Sequence, residues 1–288
     1  MEWHDLRNPQ DPELDRLAER YRLHPLHVED CRHGGQSAKI EEQENYIFVV
    51  LKPVEASPDG SLVFSDLDLF LGHDFLITVQ ESDCRPARQV IEQLRANAGH
   101  PRADLLFYKV TDAIVDSYLP ALDRLDDICD ALEEEVLERP TPQALDRIFG
   151  AKRNLIELRR VLANMRDVMG HLQRTRSELI AQDMWPFLRD IYDHVARALD
   201  TVEVQRDILS GAMEIYLSSV SQRTNQVMKV LTVLGTIALP ALLVTGFYGM
   251  NLHGLPWSDS PHGLLAATAL TLALTFLLLG LLRFFRWL

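Results

Sequence analysis

The sequence predicts an α+β protein in three parts: an N-terminal α/β domain, a long helical stalk, and two C-terminal helices apolar enough to cross a bilayer. Three observations predict it. Short apolar runs alternate with helical spacings up to about residue 100, strand signals then stop, and two long stretches near the end carry no charge. The corresponding boundaries are 1–103, 104–229 and 230–288.

In the first part, Tyr46 to Lys52 is an apolar run rich in aromatic and β-branched residues and reads as a buried strand. Leu62 to Leu71 and Phe75 to Val79 read the same way, separated by the turn signal Gly72-His73-Asp74. Asp11 to Arg22 and Ala87 to Ala98 have helical spacing, and His24-Pro25 marks a helix start.

From about residue 104 the pattern is helical. Leu105 to Glu138 holds no Gly and one Pro, Pro120, and its apolar residues recur at helical spacing. Arg139-Pro140-Thr141-Pro142 breaks it, with Thr141 as N-cap and Pro142 as first residue of a helix running to about Thr175. A third helix starts near Met184-Trp185-Pro186 and meets no strong breaker before Gly235. Long acidic helices of this kind pack antiparallel into a stalk or bundle.

Val230 to Phe247 is 18 residues without a charge, about 27 Å as a helix. Leu264 to Leu282 is 19 residues, again uncharged. The expected spans are therefore about 230–248 and 264–282. Arg223 and Lys229 precede the first, Arg283 and Arg286 follow the second, and the segment between has no Lys or Arg. The positive-inside rule places both termini in the cytosol and the loop outside, with Trp257 and Trp287 as interfacial anchors. The residues from Met1 to Leu6 are polar, so no secretory signal peptide is expected.

Composition narrows the function. A net charge of −13 argues against nucleic-acid binding, which needs a basic surface. Cys31, Cys84 and Cys129 are odd in number, widely spaced and without Cys-x-x-Cys, as expected of reduced cytosolic thiols. No phosphate-binding Gly loop, Gly-x-Ser-x-Gly or His-Glu-x-x-His occurs, so no enzyme is expected. His24, His27, Cys31 and His33 fit none of the common zinc spacings. Asp123, Asp126, Asp127, Asp130, Glu133, Glu134 and Glu135 read as a solvated helix face.

At the outer end of the first span stands Tyr248-Gly249-Met250-Asn251. Gly-Met-Asn at this place resembles the signature of the CorA family of divalent metal-ion transporters. Trp3-His4-Asp5-Leu6, His24-Pro25-Leu26 with Glu29-Asp30, Phe70-Leu71-Gly72, Arg189 to His194 and Tyr216 to Thr232 resemble the family pattern too, so the likeness covers essentially the whole chain. It implies a funnel-shaped homopentamer in a lipid bilayer, expected to be the bacterial inner membrane, with the first span lining a central pore. It also implies that Gly249, Met250 and Asn251 form an outer selectivity site for a hydrated ion, and that Asp190 belongs to a regulatory metal site between neighbouring subunits, whose partner carboxylate the sequence does not name.

Spacing agrees with a conduit. Glu214, Ser221, Asn225, Met228 and Leu231 share one helix face, mixing polar groups with Met and Leu. Leu239 and Leu242 continue the expected pore lining, and Leu242 stands where magnesium members commonly carry Thr. Glu214 stands where Asp is common. The loop reads Leu255-Pro256-Trp257-Ser258 rather than Met-Pro-Glu-Leu, which is more similar to the ZntB-like branch associated with zinc. The reading is therefore Mg2+ influx with Co2+ and Ni2+ permeation. The alternatives are a Zn2+ transporter, for which neither span offers His or Cys, and a non-conducting membrane-tethered metal sensor or scaffold.

Overall fold

The computed structural model describes residues 1–57, 61–96, 102–175, 177–250, 256–257 and 260–285. The chain divides into two units, Met1–Met213 and Glu214–Leu288. The first begins with β1 (Glu2–Leu6), α1 (Glu13–Tyr21) and α2 (Pro25–His33). It continues with β2 (Lys39–Glu42), β3 (Tyr46–Leu51), β4 (Val54–Ala56), β5 (Leu62–Phe64), β6 (Leu67–Gly72), β7 (Phe75–Gln80) and α3 (Arg85–Ala96).

Five strands form one sheet in the order β1-β7-β6-β3-β2, and β4 pairs with β5 in a separate two-stranded sheet. β1 runs parallel to β7, and the other pairs are antiparallel. Every residue of β3, β6 and β7 is buried, as continuous apolar strands require when both faces are covered. On one face Tyr46, Phe48, Phe70 and Ile77 share a core with Leu14, Leu17 and Cys31 of α1 and α2. On the other, α4 (Ala103–Asp116) packs against β6 and β7.

Two elements differ from the sequence reading. Leu62 to Leu71 is not one strand: the chain leaves β5 at Ser65 and Asp66 and changes sheet. Asp66 holds that corner from a buried position, with its carboxylate paired to Lys52 and accepting from the Gln36 amide. Its own amide donates to Glu81. Nor is Leu105 to Glu138 one helix, because α4 stops at Asp116 and α5 (Tyr118–Glu138) follows. Pro120 has no N–H for the Asp116 carbonyl, so a continuous helix would lose a bond there. Ser117 covers the break through its hydroxyl, which donates to the Ile114 carbonyl at 2.6 Å. Strands β1, β2 and β4 carry too little apolar pattern to be read in advance.

α6 (Pro142–Arg174) begins as expected, with the Thr141 side chain accepting from the Ala144 amide at 3.2 Å. α7 (Trp185–Tyr248) follows a short turn, and its first part packs with α5 and α6 in the first unit. Gln205 donates to the Leu122 carbonyl and to Asp126, Arg159 pairs with Glu203, and Lys152 donates to Ser210.

Asp68 of β6 is a chemical exception in the sheet. It is 3% exposed, its Oδ1 has no hydrogen-bond partner, and the Cys31 thiol stands against the carboxyl as a donor. Burial, opposed by the Cys31 hydrogen bond and reinforced by Asp66 and Asp30, pushes its carboxyl up to about 7. The fold therefore favours the protonated acid, and its stability falls as pH rises from about 4 to about 7. Asp68→Asn is expected to remove that slope and to stabilise the first unit at pH 8 by about 2–4 kcal/mol. Thermal unfolding of the full chain in detergent, followed against pH, checks this; an unchanged slope defeats it.

The second unit holds the rest of α7 and α8 (Gly263–Phe284). None of the residues of α8 is buried, and Leu264, Phe276 and Phe284 are among its most exposed. Helices apolar all round belong in lipid or against partner copies. Their hydroxyls are hidden in the backbone: Thr232, Thr236 and Thr245 donate to carbonyls one turn back, as do Thr268, Thr271 and Thr275.

Candidate functional site

A single face of α7 carries the residues that the sequence marks for a conduit. At 100° per residue, Glu214, Ser221, Asn225, Met228 and Leu239 fall within about 60° of one another, with Leu231 and Leu242 at the edge. All seven are exposed, Leu242 to 68%. Pro240 and Val244, the buried residues of the span, lie on roughly the opposite side. The stripe is thus part of a surface that the chain itself does not cover. Thr232, Gly235 and Gly246 join it. A Cβ at either glycine would meet nothing within 4 Å, so the packing of one chain does not require them. Those three escaped the sequence reading, although their spacing carried the signal.

The motif follows where α7 ends. Gly249 donates its amide to the Thr245 carbonyl at 2.8 Å, and a Cβ at this position would approach that same oxygen to 2.8 Å. Only glycine lets the chain leave the helix this way without displacing the backbone. Met250 is exposed, and Tyr248 donates to the Pro256 carbonyl at 3.1 Å, tying the helix end to the loop. Asn251 and His253 lie outside the described residues, as do Ser258, Asp259 and Trp287. Trp257 is exposed, with φ of 63°.

A second constellation forms in the first unit around Asp190. Asp112 and Asp116 stand one turn apart on α4, as Asp190 and His194 do on α7. Ligand atoms of Asp112, Asp116 and His194 all lie within 4.8 Å of one another. His194 Nδ1 is 3.9 Å from Asp116, and its Nε2 is 3.7 Å from Asp190. Tyr108 donates to Asp112 at 3.4 Å. Burial, and then the neighbouring charge of Asp116, raise the Asp112 carboxyl above its usual range, while burial and Asp112 raise the Tyr108 phenol. Carboxylates crowded beside one imidazole suit a divalent cation, which relieves their repulsion. Two or three protein ligands leave open positions, as Mg2+ prefers.

The remaining candidates stay apart. His24 caps α2 by accepting from the Leu26 amide, and His33 bonds the Glu29 carbonyl. His27 lies buried between Tyr46 at 2.8 Å and Glu41 at 3.0 Å, and Cys31 is buried. These four do not converge on a metal site. The acidic residues of α5 spread over its exposed side, with Glu135 paired to Arg147.

Comparison with known proteins bears on the chain as a whole. The family model described as CorA-like Mg2+ transporter protein matches residues 1–285. The cobalt/magnesium transport protein CorA of Thermotoga maritima is 41% identical over 247 residues, spanning 84% of this chain and 70% of that one. The complete structure of the CorA magnesium transporter from Methanocaldococcus jannaschii superposes with a TM-score of 0.84 at 25% identity, covering 98% of this chain and 89% of that one. The full-length CmaX protein shares the fold, with a TM-score of 0.82 at 23% identity over 99% of this chain and 88% of that one. With two helices long and apolar enough to cross a bilayer, and a match that runs through both of them, the chain is an integral membrane protein and belongs to the CorA-like Mg2+ transporter family.

Proposed function

We propose that this chain is one subunit of a homopentameric divalent-cation channel that admits Mg2+ and also passes Co2+ and Ni2+. It is a transporter rather than an enzyme, in keeping with its family. The observation that carries the reading is the uncovered face of α7, polar at Glu214, Ser221 and Asn225 and mainly apolar from Met228 to Leu242, with Thr232 among them. Five copies around an axis turn that face inward. Gly249, Met250 and Asn251 then surround the outer mouth. The span offers carbonyls and no charged, His or Cys side chain. An ion that sheds water reluctantly crosses such a lining with most of its waters, selected by size and hydration.

Competition uptake in proteoliposomes tests this. Mg2+ flux is expected, reduced by Co2+ and Ni2+ and with Zn2+ tolerated. Zn2+ flux indifferent to a large excess of Mg2+, with no Mg2+ flux, defeats the reading in favour of the zinc alternative. No flux of any cation favours the non-conducting sensor.

The proposed location is the bacterial inner membrane with both termini cytosolic, supported by Arg223, Lys229 and Arg283 flanking the spans and the cation-free loop. Because Cys31, Cys84 and Cys129 are all buried, a single added thiol reports cleanly. Ser258→Cys is expected to react with an impermeant thiol reagent from outside intact cells. Labelling from the cytosolic side alone overturns this topology.

Asp112, Asp116, Asp190 and His194 are proposed as a regulatory cation site. A cation held there favours the closed state in proportion to its preference for that state.

A further inference from the structure

We infer that the cleft beside the acidic–histidine cluster binds a nucleoside diphosphate as its Mg2+ chelate. The cleft has a volume of about 900 Å3 and lies between β4, the start of α3 and the α4–α5 break, within the usual range for small-molecule sites. Three features of its lining point to this ligand.

The first is charge. Arg85 and Arg124 both line the cleft and are exposed, and neither has an ion pair among the described residues. Guanidinium groups match phosphate oxygens in fork geometry and hold them by charge-assisted hydrogen bonds. Arg85 also opens α3, whose first turn has no acidic residue, so the positive end of that helix stands on the same wall.

The second is shape. Val54, Val63, Pro86 and Val90 supply an apolar wall, and Gln89 and Glu55 stand beside it. A flat heterocycle lies against such a wall, with the amide and carboxylate meeting the sugar and base polar groups.

The third is the cation. Asp116 lines the cleft and is also a member of the cluster with Asp112 and His194. Mg2+ takes six oxygen ligands and is commonly held by one or two carboxylates plus substrate phosphates. A cation on Asp116 neutralises the carboxylate that would repel an anion and presents its open positions to the phosphates. This rests on the cluster's being a cation site. It adds that the cytosolic signal is the metal together with its phosphate chelator.

The test is calorimetric titration of the detergent-solubilised full chain with ADP, with pyrophosphate, and with Mg2+ alone. ADP is expected to bind in Mg2+, more tightly than pyrophosphate, and much more weakly in EDTA. Arg85→Gln and Arg124→Gln are each expected to weaken ADP about tenfold, leaving binding of Mg2+ alone unchanged. Both side chains are exposed, so an unaltered melting temperature is expected. Asp116→Asn weakens both ligands. The inference is overturned if the wild-type chain ignores millimolar ADP in Mg2+, if ADP binds no tighter than pyrophosphate or equally in EDTA, or if the double Arg variant binds like wild type. Failure of Mg2+ alone to bind wild type instead defeats the cation site on which the inference stands.

Discussion

Asn251→Ala is expected to abolish Mg2+ flux while leaving the oligomer assembled. The amide of Asn251 is the sole side-chain amide in the Gly249-Met250-Asn251 motif, and in the proposed pentamer five of them ring the mouth. Each hydrogen bond to the waters of a passing ion contributes about 1 kcal/mol. Five together amount to about 5 kcal/mol, or a fall of nearly four orders of magnitude in occupancy of the outer site. Uptake in proteoliposomes with a Mg2+ indicator, alongside cross-linking of the detergent-solubilised assembly, separates transport from assembly. Wild-type flux in this variant removes Asn251 from selectivity.

Removing carboxylates from the cluster is expected to release the channel from cytosolic Mg2+. Asp116→Asn combined with Asp190→Ala takes away two of the three carboxylates around His194. Loss of such groups lowers metal affinity by about tenfold or more, and inhibition then needs correspondingly more Mg2+ because the closed state loses its preferential ligand. His194→Ala is the discriminating control. Hard Mg2+ is held by oxygen, so this variant keeps most of its response to Mg2+ and loses more of its response to Co2+, for which imidazole is the better ligand. Current or uptake measured against internal Mg2+ and Co2+ reads both effects. An unshifted Mg2+ response in the double variant returns these residues to ordinary surface carboxylates.

What could be read in advance follows the range of the forces involved. β3 and β7, the Thr141 cap, the His24-Pro25 helix start and the two apolar spans depend on residues close together in sequence, where pattern and propensity act directly. The stripe on α7 was legible for the same reason: helical periodicity alone brings Glu214, Ser221, Asn225 and Met228 to one face. Its glycines fall on the same face by spacing, but without a side chain they mark it as neither polar nor apolar. The corner at Asp66 was missed because its holders are distant in sequence, Lys52, Gln36 and Glu81.

The cluster of Asp112, Asp116, Asp190 and His194 draws the line most clearly. The sequence by itself marked only Asp190 of the four, although Asp112 with Asp116 and Asp190 with His194 are each spaced by four and so project pairwise from the same side of a helix. It also determined the spans, their charged flanks and the Gly249-Met250-Asn251 motif. Only the tertiary structure decided that the two pairs meet, because α4 and α7 are separated by α5 and α6 in the chain. Side-chain spacing along a helix is set by local geometry, whereas the facing of one helix by another is set by packing of distant apolar residues. Cation chemistry needs ligands converging within a few ångströms, and that convergence is a property of the packed core alone.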